Sequence, residues 1–342
     1  MRYSIYFITI LLCISSCKKQ DQPVSRSFYC WQQSTSFSDN EMERLDATGV
    51  KKLYIRFFDI TLDKSSGQPL PVSLTTISNA VAKKYDIVPV IFITNESIRQ
   101  LDSSKIITLA FKMSKLIEDL LEKNKLSQPA EIQIDCDWTG QTRANYFLLL
   151  NELKKYPGWK NCKWSATIRL HQIKFREETG VPPVDRGALM FYNMGKVDEY
   201  QEANSIYTKE AAMQYLDRIN DYPLPLDAAI ACYSWGLLFE NEKLIKIFYP
   251  LVDDDLPDSL FEKRSEQFFV AKQNFYFEGQ FLVAGDEIKI ESISPAMAVE
   301  AATTLSAHLE NEPRSVILYQ LDSVVLNQYT NEEFENIFNC FN

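Results

Sequence analysis

Histidine and glycine are scarce in this 342-residue chain, and positive charge is outnumbered by negative. Its 2 histidines, His171 and His308, exclude a histidine-rich zinc barrel. Its 10 glycines form no G-x-G-x-x-G or Walker-type loop, so the backbone offers phosphate no cradle. The G-x-S-x-G elbow of serine hydrolases is missing too. With 36 basic against 46 acidic residues the net charge is -10, which opposes binding to nucleic acid or any other polyanion over a broad surface. Nowhere does an apolar run reach about 20 residues, so no membrane span is expected. Neutral ligands suit such a chain better.

The N-terminus has the pattern of an address. Arg2 supplies a positive charge, residues 3–14 form an apolar run too short to cross a bilayer comfortably, and the run ends in Ile14-Ser15-Ser16-Cys17. That ending resembles the lipobox of bacterial lipoproteins, which implies cleavage before Cys17 and acylation of its thiol; the alternative is an ordinary buried first helix. On the first reading residues 1–16 are a signal peptide, 17–26 a polar tether and 27–342 one domain. The mature protein is then expected in the bacterial cell envelope, on the outer membrane or the periplasmic face, lipid-anchored through Cys17. Five of the 7 cysteines stay in that domain: Cys30, Cys136, Cys162, Cys232 and Cys340. An odd number without C-x-x-C spacing fits neither a disulfide framework nor a zinc site, and three of them lie in apolar runs where a free thiol acts as a small hydrophobe. A Cys162–Cys340 bridge is left open.

Alternation of apolar and polar residues predicts strands, and apolar residues three and four apart predict helices. Strands are expected at residues 27–33, 52–60, 87–94, 131–139, 163–170, 187–194, 226–235 and 315–321. Helices are expected at about 39–47, 71–84, 97–125, 143–156, 208–219, 296–309 and 330–341, the first capped by Ser38 or Asp39. Between the last two strands, at about 237–293, the turns Glu278-Gly279 and Ala284-Gly285-Asp286 sit in an alternating stretch and predict a small β-hairpin insertion. Eight strands alternating with helices predict an α/β chain closed into a (β/α)8 TIM-type barrel, with an open doubly wound sheet as the other arrangement.

In such a barrel chemistry sits at the C-terminal ends of the strands. Those positions hold Trp31 and Gln32, then Arg56, Phe58 and Asp59, then Asn95. Strand four adds Asp135, Asp137, Trp138 and Thr139, and strands five and six add Arg169, His171, Tyr192 and Asn193. Tyr233, Trp235, Gln320 and Asp322 complete the set. Within strand four Gln133, Asp135 and Asp137 share one face, and Ile132, Ile134 and Cys136 the other. Two carboxylates i and i+2 at the end of a buried strand repel one another, and they are costly unless something uses or pairs them. They are expected to floor a functional cleft; the plainer alternative is that they cap turns or pair with buried arginines. Carboxylates among indole and phenol rings suit a sugar, whose ring faces stack while its hydroxyls need polar partners.

Asp135-Cys136-Asp137-Trp138-Thr139 resembles the end of the fourth-strand signature Asp-x-x-Asp-x-Asp-x-Glu of family-18 glycoside hydrolases. Met190-Phe191-Tyr192-Asn193 resembles that family's sixth-strand Met-x-Tyr-Asp/Asn. Ile132 stands for the first aspartate and Thr139 for the acid/base glutamate. A wider likeness, on Trp31-Gln32, Ile134-Asp135-Cys136-Asp137 and Ser165-Ala166-Thr167, is to a family of bacterial lipoproteins and secreted proteins taken to share the glycosidase barrel. The resemblance implies that barrel and an oligosaccharide or polysaccharide partner.

For hydrolysis, Asp137 is expected as the acid, its pKa raised by Asp135, while Asp135 stays ionised beside Arg56 or Arg169. Asp59 or Asp322 would be the second carboxylate. Tyr192 and Asn193 would hold a ring substituent, and Trp31, Gln32, His171, Trp235 and Gln320 would line the site. Threonine at 139 excludes the family-18 mechanism carried over unchanged, so the rival expectation is a glycan-binding lipoprotein without catalysis. No cofactor is expected and no metal ligands are assigned, with an all-oxygen magnesium or calcium site left open.

Overall fold

The computed structural model describes residues 24–309, 313 and 315–341. The lipobox, Cys17 and the tether up to residue 23 lie outside them. Eight strands run parallel in chain order: β1 Ser25–Cys30, β2 Lys52–Asp63, β3 Asp86–Ile93, β4 Glu131–Asp135, β5 Lys163–Arg169, β6 Arg186–Met190, β7 Leu226–Ala231 and β8 Ser315–Tyr319. Ser27 of β1 faces Lys52 of β2 on one side and Ile317 of β8 on the other, so the sheet closes on itself. The expected (β/α)8 barrel is borne out and the open sheet is excluded. Among the described residues no helix is long and apolar enough to cross a membrane.

The outward side chains make an apolar layer under the helices. Ile132, Ile134 and Cys136 of β4 and its extension are fully buried there, and helix Ser103–Lys123 turns Ile106, Leu109, Met113, Ile117 and Leu120 onto the barrel. Each such side chain contributes roughly 1.5–3 kcal/mol by leaving water. Inside the barrel the chemistry is different. Tyr29 donates to Gln133 Oε1 across the barrel (2.6 Å), Gln133 Nε2 donates to Ser165 Oγ (3.2 Å), and Ser165 Oγ donates to Glu131 Oε1 (2.6 Å). Satisfied polar networks of this kind tie strands from opposite walls in one register.

Helix Asp39–Ala47 forms where expected, with Ser38 and Glu41 closing a capping box. The helix expected over 71–84 is corrected: only Asn79–Lys84 is helical, capped by Ser78. Before it, Gln68–Val72 is an edge strand antiparallel to the end of β2, and Thr76–Ile77 pairs with Ser34–Thr35. Pro69 and Pro71 are tolerated because an edge strand leaves half its N–H groups unpaired. The single helix expected over 97–125 is two, Asn95–Arg99 and Ser103–Lys123, the second capped by Asp102.

Strand seven, expected to reach Trp235, ends at Ala231, and Ser234–Glu240 enters a second sheet. That antiparallel sheet runs in the order Lys243–Phe248, Ser234–Glu240, Glu287–Ser292, Phe268–Ala271, Phe261–Lys263, beside a ribbon of Phe275–Phe277 with Gln280–Leu282. Its own apolar core includes Leu238, Phe248, Phe261, Phe269 and Ile288. Cys162 and Cys340 are both free thiols.

Candidate functional site

Asp135 closes β4, and two residues on the chain presents Asp137 at the same barrel end. Asp135 is 4 % exposed and accepts a hydrogen bond from Thr167 Oγ1 of β5 at 2.6 Å. Loss of water, and after it the charge of Asp137, push its pKa up to about 6, against the pull of Arg169 and of Thr167. Asp137 is half-exposed and held by Arg169 at both oxygens, Nε to Oδ1 at 2.6 Å and Nη2 to Oδ2 at 3.0 Å. Burial works against the Arg169 charge, but Asp137 and then Asp135 outweigh it, and the arginine's pKa is raised.

Asp135, expected to stay ionised beside an arginine, is instead the buried carboxyl with a raised pKa, and the arginine contact goes to Asp137. The alternative of pairing with an arginine holds for Asp137.

Asp59 reaches this end through a β-bulge at Arg56–Phe58, which adds one residue and returns Asp59 to the side of Arg56. Arg56 Nε binds Asp59 Oδ1 at 2.5 Å and Nη2 binds Oδ2. Phe58 is fully buried in the apolar core. Asp322 is otherwise engaged: it caps helix Ser323–Gln328 through Val325 N (2.8 Å) and accepts from Tyr249. Asn95, expected at the rim, binds Thr142 and the Asp137 backbone and so braces the turn after β4. Trp138 turns away, its Nε1 donating to Thr179 O (2.8 Å) and its ring stacking on Tyr146.

Aromatic rings surround the carboxylates. Tyr192 stacks on Tyr319 with centroids 5.1 Å apart, and Tyr233 meets both edge-on. Trp31 packs on Tyr319 at 5.9 Å, with the Arg56 guanidinium 5.7 Å over its ring. The Tyr233 hydroxyl donates to Asn193 Oδ1 at 2.5 Å, and Asn193 takes φ 54°, a left-handed conformation that asparagine tolerates better than most. The Tyr192 hydroxyl and Gln320 Oε1 are buried and have no hydrogen-bond partner among the described residues. Gln32 is exposed beyond β1. His171, expected on the strand face with Arg169, is instead on the exposed side of helix Leu170–Lys174, because β5 ends one residue earlier.

Residue-by-residue reading missed Tyr319, Tyr29 and Glu291. Tyr319 was detectable, since it shares the inward parity of Ser315 and Ile317. Glu291 was not: it meets Trp235 only through the antiparallel pairing of two distant strands. Among the described residues no group of three or more His, Cys, Asp or Glu is arranged to hold a metal, and Asp137 and Asp59 both face arginines. The better-formed concavities among the described residues lie away from this cluster. One of about 380 Å³ sits at the N-terminal strand ends beside Lys52, Glu131, Arg186 and Asp227, and one of about 410 Å³ lies between the second sheet and helix Ser323–Gln328.

Many solved structures share the fold, and three illustrate it. The spore cortex-lytic enzyme SleL of Bacillus cereus is 14% identical over 94% of this chain and 75% of its own, with a TM-score of 0.55. A chitinase of Chromobacterium violaceum is 11% identical over 92% of this chain and 98% of its own, TM-score 0.54. A mutant class V chitinase of Nicotiana tobaccum, in complex with NAG4, is 13% identical over 93% of this chain and 99% of its own, TM-score 0.51. At these identities the likeness is one of fold, distant and nearly full-length. No protein-family model and no curated protein matches the chain.

Proposed function

We propose that this chain is a lipid-anchored cell-envelope protein that acts on glycans at the C-terminal face of its barrel, by glycoside hydrolysis centred on Asp135 and Asp137. One observation carries the reading: two neighbouring carboxyls occupy unlike environments, Asp135 buried with its pKa up to about 6 and Asp137 half-exposed in an ion pair. Hydrolysis of a glycosidic bond needs one carboxyl that still holds a proton near neutral pH and one that is ionised, and unlike surroundings are how a protein separates the two. Asp135 is the proton holder; Asp137 is the carboxylate that meets the ligand. The rings of Trp31 and Trp235 offer stacking faces, and the unpartnered Tyr192 hydroxyl and Gln320 Oε1 offer polar atoms to sugar substituents. Chitinases and a cortex-lytic enzyme among the proteins of like fold support the substrate class.

A second reading, glycan binding without cleavage, is favoured by the grip of Arg169 on both oxygens of Asp137. The test uses the full chain and its Asp135→Asn and Asp137→Asn variants against N-acetylglucosamine oligomers from dimer to hexamer and cello-oligosaccharides. Cleavage by the parent alone, with binding kept by both variants, is the result expected of a hydrolase. Binding by all three with cleavage by none assigns the binding role, and no binding by the parent overturns both. For the anchor, labelled palmitate is expected in the parent and absent from Cys17→Ser; equal labelling sinks that part.

A further inference from the structure

The second sheet is joined to the barrel's C-terminal end by a buried pair of opposite charges. Lys289 and Glu291, 1 % and 0 % exposed, lie on strand Glu287–Ser292 with Nζ and Oε1 2.8 Å apart. Lys289 also donates to the Glu202 carbonyl oxygen. Glu291 Oε2 accepts three hydrogen bonds: from Ser205 N at 3.0 Å, from Ser205 Oγ at 2.5 Å and from Trp235 Nε1 at 3.0 Å. Trp235 faces Glu291 in the strand register, and its partly exposed ring meets Tyr233 edge-on at 5.4 Å. A buried ion pair adds little to stability over an apolar pair of the same size, so its use here lies in direction. An indole whose single donor is fixed cannot turn about its side-chain axis, and the same carboxylate fixes the loop after β6.

We propose that Trp235 is a stacking platform for a sugar ring beyond the one over Asp135, and that Glu291 is its positioning residue, so that the ligand is an oligosaccharide longer than a dimer. The inference rests on the glycan reading above. Stacking has geometric demands: the ring faces a sugar only while its tilt is held, and Glu291 is the group that holds it.

The experiment measures affinity of the full chain for N-acetylglucosamine dimers and hexamers. Trp235→Ala is expected to weaken hexamer binding roughly three- to tenfold and dimer binding by less. The paired substitution Lys289→Met with Glu291→Leu removes both charges and the acceptor of the Trp235 Nε1 bond together, so no lone charge is left buried to unfold the sheet. It is expected to lose most of the same hexamer affinity, and adding Trp235→Ala to it is expected to lose nothing further. Tryptophan fluorescence adds a spectroscopic signature: the change on hexamer binding is expected to be smaller in Trp235→Phe than in the parent. Additive losses in the combined variant, or equal losses for dimer and hexamer, overturn the positioning role while leaving the glycan reading intact. A parent that binds neither oligomer overturns both.

Discussion

At the N-terminal end of the barrel Arg186 grips both oxygens of Asp227, at 3.0 and 2.7 Å, and the Ser315 N–H adds a bond of 2.9 Å. At the C-terminal end Arg169 grips Asp137 in the same way, yet Asp135 beside it receives only a threonine hydroxyl. Both ends are rich in charge, but among the described residues Asp135 at the C-terminal end is a buried carboxyl whose hydrogen-bond partner is a neutral hydroxyl. Matched charges at the first end hold strands together. The mismatch at the other raises the pKa of Asp135, and perturbed carboxyls of that kind cluster at functional sites.

Arg186→Met should show the largest effect. It leaves Asp227 buried without its cation, a loss of about 3–5 kcal/mol in denaturant unfolding, with oligosaccharide affinity of the folded protein unchanged. A variant of normal stability and altered affinity breaks the division between the two ends.

Next in size is the pH dependence that Asp135 imposes. Its carboxyl titrates at about 6 when folded against an ordinary value of 3.8, so between those values the folded state keeps a proton that the unfolded state has lost. Stability is therefore highest on the acid side, falls as pH rises through that window by about 3 kcal/mol, and is level above it. Asp135→Asn removes this slope, which unfolding curves at pH 4 and pH 7 measure. A parent and variant with parallel slopes contradict the burial argument.

The smallest effect sharpens the comparison. Arg169→Met costs about 1 kcal/mol or less, because Asp137 stays half-exposed to water. Arg169 draws the Asp135 pKa down, so its removal is expected to move that titration above 6. An unmoved titration shows that the two groups do not interact.

The barrel was legible in the sequence because strand alternation and helix periodicity survive in single segments such as 131–135 and 103–123. Asp135, Asp137, Arg169 and Tyr192 were legible as strand-end residues for the same reason. What escaped depends on contacts between segments. The bulge at Arg56–Phe58 that re-aims Asp59 has no local signal, the helix start moved from 71 to 79 because edge pairing outweighed the apolar pattern, and His171 left the strand face by a one-residue shift in where β5 ends. That Asp135 is the buried carboxyl and Asp137 the one Arg169 reaches escaped too, since like residues two apart share one local pattern.

The most direct test is carbon-detected NMR titration of aspartate side chains labelled at Cγ, in the parent and in Asp135→Asn, with and without N-acetylglucosamine hexamer. One aspartate titrating at about 6 in the parent, missing from the variant and shifted by the hexamer, is the expected result. Every aspartate titrating below about 5, or a titration near 6 that the sugar leaves untouched, contradicts a glycan site built around a protonated Asp135.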